Sequence, residues 1–239
     1  MSWVITGSEK NPVDLYRSQV SLLLHGDGAN GSTTITDSSP TPKTVTAVGN
    51  AQISTAQSKF GGASIAFDGN GDALSVAGLS DLSQFTMPGV AATYECWLYL
   101  NSLPAVRYFL FGSFGTGDSG WTVDIDSSGN IFISRNSSGA TVSLSSPVVA
   151  SSWQHLAVVS NGTTIVVYRN GISVGSLAAS SNLVGAGAIG AVTQDFRIGA
   201  RQTSNLLPLN GYIDDLRITK DIARYTANFT PPTAPFPDI

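Results

Sequence analysis

Short stretches of alternating apolar and polar residues run through most of this chain, separated by clusters of Gly, Asn, Ser and Pro. Runs rich in Val, Ile, Thr, Tyr and Phe predict β-strands at residues 20–25, 44–48, 63–67, 73–77, 93–100, 107–112 and 121–125. Further strands are predicted at 131–135, 140–144, 153–160, 163–169, 172–177, 196–199 and 212–219. Asn161-Gly162 and Asn170-Gly171 each join two such runs, a strong short-range hairpin signal. Asp126 to Asn130 makes a longer loop of the same kind. Repeated hairpins require antiparallel pairing and exclude a parallel α/β sheet. Only 220–225 leaves room for a turn or two of helix.

The 212–219 run carries a parity conflict. Ile213 and Asp215 fall on one face by strict alternation, while Leu216 and Ile218 fall on the other. Either both faces are partly buried there or the strand bends at a bulge. Residues 1–19 read as an irregular arm, and 228–239, with four prolines, as an extended tail that closes the domain along a surface. The organisation expected is therefore one domain, 20–227, between an arm and a tail. It is all-β, an antiparallel two-sheet sandwich.

Composition narrows the classes. Charged residues are 12% of the chain, about half the ~25% usual for soluble domains, and Ser, Thr, Asn and Gly carry the polarity instead. The net charge is −4 with no Lys/Arg cluster, so no nucleic-acid footprint is expected. No apolar run reaches the ~18 residues of a membrane span. The first residues, Met1 to Gly7, lack the basic and apolar regions of a signal peptide. Without one, the sequons at Asn30, Asn136, Asn161 and Asn228 read as coincidences of a Ser/Thr/Asn-rich chain. The single Cys96 excludes an intrachain disulfide and a cysteine-based zinc site.

Several segments, in order, resemble a known family. They are Leu22-Leu23-Leu24-His25-Gly26-Asp27-Gly28, the stretch from Lys59 to Asp72, and Thr93-Tyr94-Glu95-Cys96-Trp97-Leu98-Tyr99. After them come Trp153-Gln154-His155-Leu156-Ala157-Val158, Asn170-Gly171, and Gly211-Tyr212-Ile213-Asp214-Asp215-Leu216-Arg217-Ile218. Together these resemble the laminin G-like branch of the concanavalin A-like lectin/glucanase superfamily over about 20–230. The resemblance implies an all-β jelly roll with one concave sheet. The ending from Ala223 to Pro232 is similar to one found on such domains in phage structural proteins.

The superfamily also hosts glycosidases, most of which need two carboxylates about 5–10 Å apart. In the glucanase branch these come from an E-x-D-x-x-E strand. This chain has only Glu9 and Glu95, so that motif is missing. Asp124 and Asp126 share a strand face about 7 Å apart, and read as outward positions leading into a turn. Gly117-Asp118-Ser119-Gly120 copies the surroundings of a trypsin-like nucleophile. Only His25 and His155 could serve it as a base, and His155 follows the serine, against that family's order.

Asp68, Asn70 and Asp72 place oxygen ligands at alternate positions, as a calcium loop opens. Ala73 and Leu79 then stand where an EF-hand has Gly and Glu, and a plain Asn/Gly turn explains the same residues. No cofactor is required, and calcium is the ion with candidate ligands. For a stacked sugar ring the candidates are Trp97, Tyr99 and Trp121, ahead of Tyr108 and Tyr168. His155 reads as a satisfied, partly buried strand residue.

The expectation is a non-catalytic phage virion protein, a capsid decoration protein or tail-associated adhesin assembled in the host cytoplasm. Trp3, Val4, Ile5, Leu15 and Tyr16 of the arm, with Phe229 and Phe236 of the tail, are apolar enough to dock on other virion proteins or a second copy. The alternative is a carbohydrate-binding module for a host cell-surface glycan; a glycoside hydrolase is the third reading.

Overall fold

The computed structural model describes residues 13–77, 89–114, 120–135, 138–179, 195–201 and 207–238. A 3-10 turn at Arg17–Gln19 precedes the strands. They are β1 (Val20–Leu24), β2 (Val45–Val48), β3 (Gln52–Ser54), β4 (Ser64–Asp68), β5 (Ala73–Val76), β6 (Ala91–Leu100), β7 (Arg107–Phe114) and β8 (Gly120–Asp126). They continue with β9 (Ile131–Arg135), β10 (Ser138–Val142), β11 (Gln154–Asn161), β12 (Thr164–Arg169), β13 (Ile172–Ala178), β14 (Phe196–Ile198) and β15 (Asn210–Lys220).

Two antiparallel sheets face each other. One runs β13-β12-β11-β6-β15-β4-β3, with β1 also on β15; the other runs β10-β9-β8-β7-β14-β5-β2. Both Asn-Gly turns are hairpins, joining β11 to β12 and β12 to β13. Asn170 and Gly171 have φ of 50° and 77°, the left-handed pair that a two-residue hairpin turn demands.

One continuous core fills the space between the sheets. Tyr94 of β6 meets Phe111 and Trp121 of the facing sheet, each at 5.2 Å between ring centroids. Phe67 and Phe196 lie within the same cluster, and burying such a side chain fully contributes about 1.5–3 kcal/mol. Cys96 is in this core too, where burial pushes its thiol pKa up.

The parity conflict of β15 resolves as a bulge. Its register on β6 shifts between Asp214 and Arg217, and Asp215 sits at φ 50°. The extra residue lets Ile213, Leu216 and Ile218 all reach the core, while Tyr212, Asp214, Arg217 and Thr219 face outward. Left-handed backbone costs a non-glycine residue about 1–2 kcal/mol, least for Asp and Asn. The Asp215 carboxylate offsets it by accepting from Phe236 N at 2.8 Å and binding His25 Nδ1 at 2.7 Å.

Candidate functional site

The outer face of the eight-stranded sheet divides into a covered end and an open end. Over the covered end lie residues 13–19 and 221–238, held by a buried ionic network. Glu95 Oε1 accepts from Arg217 Nε at 2.9 Å and Nη2 at 2.8 Å, and Glu95 Oε2 accepts from Tyr225 Oη at 2.7 Å. His155 Nε2 lies 3.3 Å from the same carboxylate. Arg224 grips Asp14 in a two-pronged pair at 2.9 and 2.8 Å, and Arg217 Nη1 reaches Asp14 at 3.2 Å. Burial pushes the Glu95 carboxyl up, but the Arg217 charge and the His155 and Tyr225 bonds prevail and hold it at about 2. These partners favour its ionised form.

Both tail aromatics close onto the domain itself. Phe229 stacks on Tyr225 at 3.5 Å, and its amide donates to Gly171 O at 2.8 Å. Phe236 is buried with Val20 and Leu23, under the Arg217 guanidinium at 3.7 Å. These two positions, expected to dock on a partner, are therefore occupied by the domain's own sheet. Leu15 and Tyr16 remain 87% and 40% exposed, while Trp3, Val4 and Ile5 lie outside the described residues. Tyr168 is buried beneath the tail.

At the open end, register aligns aromatic side chains from three strands. Tyr212 of β15 pairs with Tyr99 of β6. Leu98 pairs with Gln154, so Trp153 stands across from Tyr99 at the strand end. Tyr99 lies 5.6 Å from Trp153 and 6.0 Å from Tyr212 between centroids, and all three are half-buried. On one side, Asn101 Nδ2 donates to Asn210 Oδ1 at 2.7 Å and Asn50 Nδ2 to Asp68 Oδ2 at 3.0 Å. On the other, Lys59 Nζ stands 3.8 Å over Trp97. Asp214 Oδ2 fixes that loop by accepting from the amides of Lys59 and Phe60, and burial pushes its carboxyl up to about 7. A row of half-exposed rings beside amide and carboxylate groups can stack a sugar and hydrogen-bond its hydroxyls.

Of the three ring candidates, Tyr99 is thus central to this row. Trp97 is 5% exposed beneath Lys59. Trp121 is a correction: it is fully buried between the sheets and presents no face to a ligand. Trp153 and Tyr212 were missed, because strand register, which no local pattern contains, brings them beside Tyr99. Tyr108 is half-buried, 3.2 Å from Ser102 Oγ.

The other sequence candidates separate. Asp68, Asn70 and Asp72 form the β4–β5 turn. Asp68 accepts from Asn70 N at 2.7 Å, and Asp72 from Asn50 N at 2.8 Å and Asp68 N at 2.9 Å. Among the described residues no three His, Cys, Asp or Glu side chains gather as a metal site. Asp124 pairs with Arg201 at 2.7 Å, while Asp126 caps its own turn by accepting from Ser128 N and Asn130 N. Ser119 lies outside the described residues, and His25 is bound between Asp215 and Asp238.

The fold and this face define a lectin-like β-sandwich. A family model described as the concanavalin A-like lectin/glucanases superfamily, Laminin_G_3, matches residues 68–223, well over half of the chain. The chain belongs to that laminin G-like family. No curated relative matches the sequence. Among solved structures, domain 4 of AbnA, an extracellular GH43 arabinanase from Geobacillus stearothermophilus, in complex with arabinotriose, is similar at TM-score 0.60 and 16% identity. That match covers 85% of this chain and 93% of that one. The botulinum neurotoxin serotype C1 binding domain is similar at TM-score 0.59 and 14% identity, covering 87% and 50%. The receptor binding domain of botulinum neurotoxin D is similar at 0.58 and 14%, covering 90% and 51%. The chain spans about half the length of these neurotoxin domains. No helix among the described residues is long and apolar enough to cross a membrane, which says nothing of strands.

Proposed function

We propose that this chain is a non-catalytic adhesive module that holds a host-surface saccharide on the Trp153–Tyr99–Tyr212 row and serves on a phage virion, as a tail-associated adhesin or capsid decoration protein. The observation that carries the reading is the row itself: three half-exposed rings across adjacent strands, edged by Asn101, Asn210 and Asp68. The similar arabinanase domain was solved with arabinotriose, which supports a sugar as the class of ligand. A non-catalytic role is supported by Glu95, whose carboxylate is enclosed by Arg217 and Tyr225.

The virion assignment rests on the similarity of the Ala223–Pro232 ending to endings in phage structural proteins. That segment fastens the tail over one end of the sheet and leaves the ring row uncovered. The exposed Val13, Leu15 and Tyr16 beside it are the surface for other virion proteins or a second copy.

A glycan array probed with the folded chain, with and without calcium, tests the reading. Binding should appear and be lost in Tyr99→Ala and Tyr212→Ala variants that keep the parent melting temperature. Silence toward every saccharide removes the glycan reading. Mass spectrometry of purified particles tests the location; absence of this chain from them removes the virion reading.

A further inference from the structure

We infer that the groove between residues 13–16 and the Pro-rich tail receives the Trp3-Val4-Ile5 segment of a second copy of this chain. One wall is Val13, Leu15 and Tyr16; the other is the strap from Pro232 to Pro237. Together they enclose about 410 Å³, room for a few side chains. Leu15 is 87% exposed, the most of any large apolar side chain among the described residues, and Val13 is 66% exposed. Thr233, Ala234 and Pro235 of the strap are exposed too. An apolar surface this concentrated marks a contact with another segment.

The groove suits an uncharged occupant. Its floor holds two guanidinium groups, and both are already met. Arg224 is gripped by Asp14 at 2.9 and 2.8 Å, and Arg217 is shared between Glu95 at 2.8 Å and Asp14 at 3.2 Å. The Tyr16 ring lies 5.3 Å from the Arg224 guanidinium. A charged segment would lose its water there and find no free counter-charge. Aromatic and aliphatic side chains can pack on the proline rings and over the paired guanidinium groups. Residues 1–8 supply that chemistry, with Trp3, Val4 and Ile5 and no Asp, Glu, Lys or Arg.

Turn chemistry favours a second copy over the chain's own arm. Residues 1–12 lie outside the described residues and join the chain at Val13, so the arm is rooted in the groove wall itself. To fill its own groove the arm must double back. Gly7-Ser8 is the two-residue turn signal in that stretch, and Asn11-Pro12 favours extended backbone. Pairing outward from a turn at Gly7-Ser8 sets Ile5 opposite Lys10 and Trp3 opposite Pro12, short of Leu15 and Tyr16. The same segment of a second copy needs no reversal. Two copies that each give an arm and receive one form a closed two-fold pair. The groove lies at the covered end of the sheet, so each copy keeps its Trp153–Tyr99–Tyr212 row open. The inference rests on the docking half of the proposed function and not on its saccharide half.

Sedimentation velocity of the full chain from about 1 to 100 μM tests this. The parent should form a concentration-dependent dimer. Two full-length variants should weaken it by about thirtyfold or more: Trp3→Ser with Ile5→Ser in the arm, and Leu15→Asp in the groove. Leu15 is exposed, so the groove variant should keep the parent's fold; should it not, the arm variant decides alone. Mixing the two variants brings one intact arm to one intact groove, so the mixture should pair more tightly than either variant by itself. Tyr99→Ala should leave pairing unchanged while removing glycan binding, so failure here and failure of the ring row are read separately. A parent chain that stays monomeric throughout, the result expected if the arm fills its own groove or another protein fills it, would overturn the inference. So would a dimer indifferent to both variants, or a mixture no tighter than its components.

Discussion

Replacing Glu95 by Gln should be among the most damaging single changes outside the apolar core. Glu95 is fully buried and accepts two hydrogen bonds from Arg217 and one from Tyr225. The amide keeps the shape but removes the charge. Arg217 is then left, 7% exposed, with Asp14 as its remaining counter-charge, and Asp14 is already gripped by Arg224. Breaking one partner of a buried ion pair costs about 3–5 kcal/mol. Linkage gives a similar figure. The carboxyl falls from an ordinary 4.5 to about 2, and that difference corresponds to about 3 kcal/mol. Because the folded value is depressed, this stability is fully present above pH 4.5 and is lost as pH falls through about 2. At neutral pH the substitution should lower the melting temperature by about 6–20 °C for a chain of this size. In the parent, stability should decline between those two pH values, and the variant should lose that part of the decline. Calorimetry and urea unfolding across pH measure both effects. A loss below about 1 kcal/mol at pH 7, or an unchanged acid limb, would refute the network as the fastening of the arm and tail.

The remaining expectations concern the tail and the core. Burial pulls the His25 pKa down, but Asp215 and Asp238 prevail and raise it to about 9; the stability it contributes is full below pH 6.5 and lost as pH rises through 9. Burial of Asp215, which pushes its own carboxyl up, offsets part of this, and limited proteolysis between pH 8 and 10 should detect earlier release of residues 236–238. In a His25→Leu variant that alkaline sensitivity should be absent. Gly171→Ala should destabilise the chain by more than about 1 kcal/mol, since the new methyl would stand 1.9 Å from the Phe229 carbonyl at a φ of +77°, and faster tail cleavage would report it. Trp121→Ala should cost about 3–5 kcal/mol by denaturant unfolding, and a near-neutral effect would contradict its place in the core.

What the sequence revealed follows from how local each signal is. Asn161-Gly162 and Asn170-Gly171 were legible because a hairpin turn is fixed by two residues and their immediate flanks. The β15 bulge was legible as a contradiction, since strict alternation could not place Ile213 and Leu216 in one core. β3 was not legible: Gln52-Ile53-Ser54 offers one apolar side chain, too short a pattern to carry a period. The Glu95–Arg217 pair spans 122 residues, and its contact exists only through the register of β6 on β15. Trp97 and Tyr99 could be placed on one face of β6, but both faces of that strand carry large residues. Their direction is decided by Tyr94, whose ring enters the Phe111–Trp121 cluster and turns its odd-numbered neighbours outward.

That parity explains why one face of β6 serves two purposes. Thr93, Glu95, Trp97 and Tyr99 follow one another outward along the strand. Thr93 and Glu95 offer hydrogen bonds and charge, so the end they occupy needs a polar partner once water is excluded. Arg217, Arg224 and Tyr225 supply it, with Thr93 Oγ1 donating to Ile222 O at 2.9 Å and accepting from Arg224 N at 2.9 Å. Tyr99 needs no such partner, because an aromatic ring tolerates partial exposure at little cost. A covering segment therefore gains specific bonds at the Glu95 end and would gain mainly ring contacts at the Tyr99 end. The tail follows that gradient: Tyr225 bonds Glu95, Phe229 and Phe236 pack around His155, and Trp97 marks the boundary, its ring 5.4 Å from His155 on one side and under Lys59 on the other. The open ring row is thus a consequence of where the charges lie on β6, and moving the charge should move the boundary. A Tyr99→Glu chain that still bound saccharide at the parent affinity would break this link between the fold and its site.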